Sequence, residues 1–189
     1  MIFHESDADG VRIEITVAAP VGEVWQSFRD KEKIFHWHGW DAPELEAEID
    51  LIFFEHAEEG ERTLTVQGHD TFALTSVPEG TRIVLTRAPK GTSPEWDDYY
   101  DDITEGWITF LHQLKFAHEV QPGVARRTVF WPHEVSLDVS GKPFFESAHQ
   151  RGVVVEEWGP GLLITCPKMS VATTYGISDD ELEALRQKG

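Results

Sequence analysis

Residues 93–121, SPEWDDYYDDITEGWITFLHQLKFAHEVQ, place large apolar side chains at Trp96, Tyr99, Tyr100, Ile103, Trp107, Phe110, Leu111, Leu114 and Ala117. Steps of three and four return to one face of an α-helix, so the spacing predicts one long helix with a continuous apolar stripe. Ser93 is placed to cap it, Pro94 suits the first helical position, and Glu95, Asp97 and Asp98 set negative charge beside the positive end of the macrodipole. Pro122 stops the hydrogen-bond ladder, and Gly123 suits the left-handed residue that closes a helix. Unbroken, the helix would run roughly 40 Å at 1.5 Å per residue; Asp102 with Glu105 offers a second start, and hence a break near Tyr100 as the alternative. Gly106, which costs about 1 kcal/mol relative to alanine inside a helix, predicts a close approach to the backbone beside Trp107. Ile108 and Phe116, with His112 between them, fall outside the stripe on a second face.

Working outward, the segments before the helix read as strands with one helical interruption. Val11–Val17 alternates apolar and polar residues and predicts a half-buried strand. Pro20–Phe28 puts Val21, Val24, Trp25 and Phe28 on one helical face, and Asp30 caps a short helix over KEKIFHW. Leu45–His56 reads as a strand with Leu45, Ala47, Ile49, Leu51 and Phe53 inward and a bulge in the IFF run. Three further strands follow over residues 62–67, 70–77 and 82–88, the last two joined by a turn at Pro78-Glu79-Gly80. Beyond the helix, residues 126–129, 135–139, 153–158 and 162–166 read as strands, the last pair a hairpin around Gly159-Pro160-Gly161. A terminal helix starts at Ser178, with Glu181 completing a capping box and Leu182 and Leu185 on its buried side.

Composition excludes several function classes. With 34 acidic against 16 basic residues the formal charge is −18, which repels phosphate backbones and anionic headgroups and argues against nucleic acid as a partner. No apolar run approaches the roughly 18 residues of a membrane span, and polar residues 4–10 do not resemble a secretory leader, so a soluble cytoplasmic protein is expected. The one cysteine, Cys166, rules out an internal disulfide or a cysteine metal cluster, and the expectation is of no metal and no cofactor. His36 and His38 would share a side on an extended backbone, but a third ligand from Asp41, His56 or His69 stands at no diagnostic spacing. No Gly-x-Ser-x-Gly elbow, His-Glu-x-x-His pair or phosphate loop is present, and no catalytic residue is assigned. His69, Asp70 and Arg82 are nominal acid–base groups that more often sit at the surface of strand ends.

The run WDDYYDDITEGWITFLHQLKFAHE, with Glu-Gly-Trp followed by Leu-x-x-Leu-Lys, resembles the C-terminal helix of the SRPBCC (START-like, helix-grip) superfamily, in the branch related to the activator of the heat-shock protein 90 ATPase. The strand ending in Ala-Pro and followed by Val-Trp is similar to the opening of such domains. The resemblance implies an α+β helix-grip fold: a curved antiparallel sheet wrapped around the long helix, over residues 1–122, with residues 123–189 a β-rich C-terminal extension; Ile108, His112 and Phe116 on the helix's second face predict that the extension docks there. It implies a cavity between sheet and helix, lined by Trp37, Trp40, Phe53, Phe72, Trp96, Tyr100, Trp107, Phe110, Leu111 and Leu114. The same side chains would serve equally as an ordinary core. The expected function is non-catalytic binding of a small hydrophobic, aromatic or lipid-like molecule. The alternatives are a regulator of a heat-shock chaperone ATPase, with that chaperone as partner, and a polyketide cyclase- or aromatase-type enzyme.

Overall fold

Alternating strands build one buried face, and the long helix packs on it. The computed structural model describes every residue except 7–9 and 92–93, with the backbone alone for 2–6 and 94–96. β1 (Ile2–Ser6), β2 (Gly10–Val17), β3 (Ala57–Gly60), β4 (Thr63–Val66), β5 (Asp70–Val77) and β6 (Gly80–Arg87) form a sheet in the order β1-β2-β6-β5-β4-β3. Every pairing is antiparallel. Val11, Ile13, Ile15 and Val17 of β2 and Thr81, Ile83, Leu85 and Arg87 of β6 are buried while the residues between them face outward or are only half-buried, the period-2 pattern of a sheet with one wet side.

Between β2 and β3 the chain forms α1 (Val21–Arg29), α2 (Lys31–Ile34), α3 (Leu45–Asp50) and a π-helical turn, Leu51–Glu55. α4 (Pro94–Glu119) then runs 26 residues without a break at Tyr100. Its Trp107, Ile108, Leu111 and Leu114 close the first core against the sheet and against Val24, Trp25 and Phe28 of α1. Gly123 adopts the expected left-handed conformation, φ 73°. The expected start, Ser93 with the side chains of Pro94, Glu95 and Trp96, lies outside the described residues. Among the described residues no helix is long and apolar enough to cross a membrane.

A second antiparallel sheet follows: β7 (Arg127–Trp131), β8 (Gly141–Glu146), β9 (Arg151–Val155), β10 (Gly161–Cys166) and β11 (Met169–Thr174), ordered β7-β11-β10-β9-β8. Its central strands β10 and β11 are buried on both sides. Leu162, Ile164 and Val171 pack with Tyr175 around Phe116 of α4, whereas Val129, Leu163 and Ala172 face Leu182 and Leu185 of α5 (Asp179–Arg186). The layers are therefore sheet, α4, sheet, α5. Ser178 and Glu181 form the capping box at the start of α5. His112 stacks on Phe145, ring centroids 3.5 Å apart, so the second helix face carries the second sheet at His112 and Phe116. Ile108 instead belongs to the first core.

Three sequence expectations are corrected. Leu45–Glu55 is helical, not a strand. Leu45, Ile49 and Phe53 are buried as expected, but at i, i+4 and i+8 they satisfy both periods; Ala47 and Leu51, which only the strand reading turns inward, are exposed. The chain's Leu, Glu and Ala content there favours helix, and the expected bulge is the π-turn. Residues 135–139 form no strand: Val135 is buried in the second core, and its N–H donates to Ser170 Oγ at 3.0 Å. Gly106 meets no tight contact, since an added Cβ would find only Phe110 Cε2 at 3.8 Å. The sequence reading also missed β1, β3, β8 and β11. β8 contains Pro143, which its place at the sheet edge tolerates.

Burial of His112 has a pH consequence. Its Nδ1–H donates to Ile108 O at 2.8 Å, and burial holds its pKa down to about 4 from the ordinary 6.5. Between those values the unfolded chain binds the extra proton, so this contribution is complete above about pH 6.5 and is lost as pH falls toward 4, by up to about 3 kcal/mol. Burial pushes His36, His38 and His118 in the same direction. Urea unfolding at pH 7.5 and 5 is expected to show the loss, with His112→Phe shallower; equal slopes for both proteins would contradict the assignment.

Candidate functional site

A cleft of about 1210 Å³ opens along the flank of α4, between α3 with its π-turn on one side and the β8–β9 and β10–β11 turns on the other. Trp40, Trp107, Phe110, Phe130, Ile52 and Ile103 supply its apolar wall. Trp40 and Phe130 stack face to face, 4.0 Å between centroids and 8° between planes. Gly106 lies on the wall, so the space a side chain would take there belongs to the cleft. Met1, Leu51 and Tyr99, exposed at 45%, 41% and 65%, sit on the same lining.

The residues expected around a cavity divide. Trp40, Trp107 and Phe110 line the cleft. Trp37, Phe53, Phe72, Tyr100, Leu111 and Leu114 are packed into the closed first core. There Phe28 lies 5.0 Å from Trp37 and 5.1 Å from Phe72, and Phe72 meets Trp107 edge-on at 5.0 Å. Between sheet and helix the space is thus occupied by interdigitated rings, and the open volume lies at the helix flank. The side chain of Trp96 lies outside the described residues.

The polar centre of the cleft is His38, and the chain spends many hydrogen bonds on fixing it. His36 and His38 sit in a helical turn after α2, with backbone N–H groups donating to Lys33 O and Ile34 O, so the extended geometry for a shared metal does not arise. Among the described residues no three His, Cys, Asp or Glu groups stand together as a metal site. Gln113 of α4 donates to Trp37 O and Gly39 O at 2.7 and 3.1 Å. Arg126 donates to Phe35 O at 2.9 Å, His38 O at 2.7 Å and Gly39 O at 3.0 Å. Asp41 exchanges two bonds with Thr128, 2.6 and 2.7 Å. Residues at the start of the second sheet therefore set the loop that carries His38 and Trp40. Burial lowers the Arg126 pKa to about 10.

His38 Nε2 lies 2.8 Å from Glu48 Oε1, and its ring is 4.8 Å from Phe110 and 5.0 Å from Phe53. Its hydrogen bond holds the Glu48 carboxyl below the usual range, while burial lowers the His38 pKa against the opposing pull of Glu48. A neutral imidazole donating from Nε2 to an ionised Glu48 follows, leaving a lone pair on Nδ1. Among the described residues nothing hydrogen-bonds that atom. Sequence reading missed the pair because a strand over 45–56 hid it; a helix over 44–50 with Glu48 facing the turn was the available signal.

Beneath the cleft, Trp107 is held by a buried ion pair. Its Nε1–H donates to Asp70 Oδ2 at 2.8 Å, Arg87 Nε donates to Asp70 Oδ1 at 2.9 Å, and Arg87 Nη1 reaches Tyr100 O at 2.8 Å and Thr104 Oγ1. Asp70 and Arg87 face each other across β5 and β6. Of the nominal acid–base groups, Asp70 is therefore spent on positioning Trp107, His69 Nδ1 lies 3.1 Å from Asp70 Oδ1, and Arg82 is exposed on the sheet's outer face. Arg87 was legible in principle: the turn at residues 78–79 fixes a register in which 70 meets 87.

No family model matches the chain, and no curated protein does. Solved structures that it resembles include DynU16, a protein of the dynemicin biosynthetic locus, at 14% identity and TM-score 0.39 over 94% of this chain and 92% of that one. SSP2350 from Staphylococcus saprophyticus matches at 22% identity and TM-score 0.42, over 58% of this chain and 90% of that one. CV1439 from Chromobacterium violaceum matches at 19% identity and TM-score 0.34, over 59% and 96%.

Proposed function

We propose that the chain is a helix-grip-type binding protein that takes a small, largely apolar molecule, aromatic or lipid-like, into the cleft beside α4 without transforming it. The observation that carries this reading is the cleft itself: about 1210 Å³, walled by Trp40, Trp107, Phe110 and Phe130, with large apolar residues exposed at its margin. Ligand sites are typically apolar concavities with a few polar groups for orientation, and His38 with Glu48 supplies those. Large exposed apolar groups are scattered on most proteins; three gathered on one cleft are what a partly protruding apolar ligand would cover.

The His38–Glu48 pair also favours an acid–base enzyme as a second reading. Abstracting a proton beside a carbonyl places negative charge on oxygen, which must then be stabilised. The described cleft wall meets that charge with Glu48, Asp101, Asp102, Glu105 and Glu146, while Lys90 and Lys168 are already in ion pairs with Asp101 and Asp102. Binding is the better fit.

The test is calorimetric titration with a panel of neutral polycyclic and long-chain compounds, alongside native mass spectrometry of the purified protein. Phe110→Ala is expected to weaken a bound ligand about tenfold through lost apolar contact. Gly106→Leu is expected to abolish binding by filling the cleft while stabilising the helix by about 1 kcal/mol. A panel that gives neither heat nor co-purifying mass, or a Gly106→Leu protein that binds normally, would sink the reading.

A further inference from the structure

Resting on the cleft as a binding site, we infer that its ligand is elongated and polar at one end only, lying along α4 with its apolar tip stopped by the stacked pair Trp40 and Phe130. The stop is carried by a loop that spans both layers. Gln113 of α4 donates to Trp37 O and Gly39 O, and Asp41 is bonded twice to Thr128 of β7. Between those ties Trp40 stacks on Phe130, 4.0 Å between centroids, and lies 6.1 Å from Phe110. Among the described residues Phe110 is the last of α4 on the cleft wall, and Gln113 stands about one turn beyond it. The loop therefore crosses the helix where the wall ends and ties it to the second sheet, which closes the cleft on that side.

The other end is open and polar. Tyr99, the first described residue of α4 on the wall, is 65% exposed. The exposed ion pairs of Lys90 with Asp101 and Lys168 with Asp102 stand beside it on the lining. A polar group there keeps its water and gains hydrogen-bond partners, whereas one at the Trp40 end would exchange water for ring carbon. From Tyr99 to Phe110 the helix rises about 16 Å at 1.5 Å per residue. A molecule lying in that length buries more apolar surface with each added carbon until its tip meets the rings. Any further carbon is pushed out at the mouth, where it stays in water and adds nothing. Length is thus the property that Trp40 and Phe130 select.

The experiment titrates straight-chain primary alkanols, from hexanol to hexadecanol, into the full chain and follows tryptophan fluorescence. Kd is expected to fall about fourfold per methylene. It should level off near about twelve carbons, which span about 16 Å at about 1.3 Å per methylene. Trp40→Ala and Phe130→Ala each remove half of the stop, and each is expected to move the break to about fourteen carbons or beyond. The bonds that Gln113 and Arg126 make are to the loop backbone, so the loop keeps its place without the Trp40 ring, and unaltered circular dichroism would show both variants folded. Dodecane-1,12-diol, polar at both ends, is expected to bind about tenfold more weakly than dodecanol, and Trp40→Ala to shrink that deficit by letting water reach the tip. A native series that improves evenly to hexadecanol, or a break that neither variant moves, would overturn the stop while leaving the cleft reading intact. A diol that binds as well as dodecanol would overturn the single polar end. Binding by no alkanol would overturn the cleft reading and this inference with it.

Discussion

Ending the chain after Gly123 is expected to remove the cooperative fold of what remains. α4 would lose the cover of Phe116, which the second sheet buries completely, and Thr109, His112 and Gln113, all buried, would lose Gln150, Phe145 and Thr173. The loop of residues 35–41 would lose Arg126 and Thr128 at the same time, and with them the anchors of His38 and Trp40. Burying one large aromatic is worth about 3 kcal/mol by itself, against a total stability of about 5–15 kcal/mol for a domain. The loss of the whole layer should therefore exceed what residues 1–123 can sustain. Thermal unfolding followed by circular dichroism is the check. A truncated chain that melts cooperatively within a few degrees of the full one would show that residues 1–122 fold as an independent unit, and that the second sheet is an appendage.

The second large effect belongs to Asp70. Replacing it by alanine takes the carboxylate from Arg87 in a fully buried site, and leaves the Trp107 indole N–H without its acceptor. Breaking one side of a buried ion pair costs about 3–5 kcal/mol, and an orphaned buried donor adds about 1–3 kcal/mol. Asp70→Ala is expected to shift the urea midpoint strongly and to loosen the cleft wall, because Trp107 has lost its anchor. Combining it with Arg87→Met should recover much of the stability, since two apolar groups in the core no longer require each other's charge. A single variant that loses less than about 1 kcal/mol would mean that the pair is well solvated and that Trp107 is held by packing alone.

Much of the architecture could be read from the chain, and the failures have identifiable causes. β2, β4, β5 and β6 showed the period-2 alternation of a sheet with one wet face, and α4 showed an unbroken 3.6 period over 26 residues. The capping box at Ser178 was readable because both partners lie within one turn. Leu45–Phe53 failed because residues four apart fall on one side in either period, and the decision rested on Ala47 and Leu51, small or ambiguous in both. β3, with sequence AEEG, carries no apolar alternation beyond Ala57; it is a strand because β4 offers it a ladder.

Local sequence thus determined which residues turn inward, because burial on one face imprints its period on the chain. What they turn toward was decided by tertiary structure. Trp37, Phe72 and Leu111 look the same in sequence as Trp40 and Phe110, yet the first three close a core, the other two wall a cleft, and Trp107 does both. That division depends on where the second sheet lands on α4 and on how Arg126 and Gln113 pull the loop of residues 35–41 against it. His38 meets Glu48, and Asp70 meets Arg87, only once those packings are made. Contacts between residues distant in the chain follow from global packing, and no periodicity within either segment encodes them.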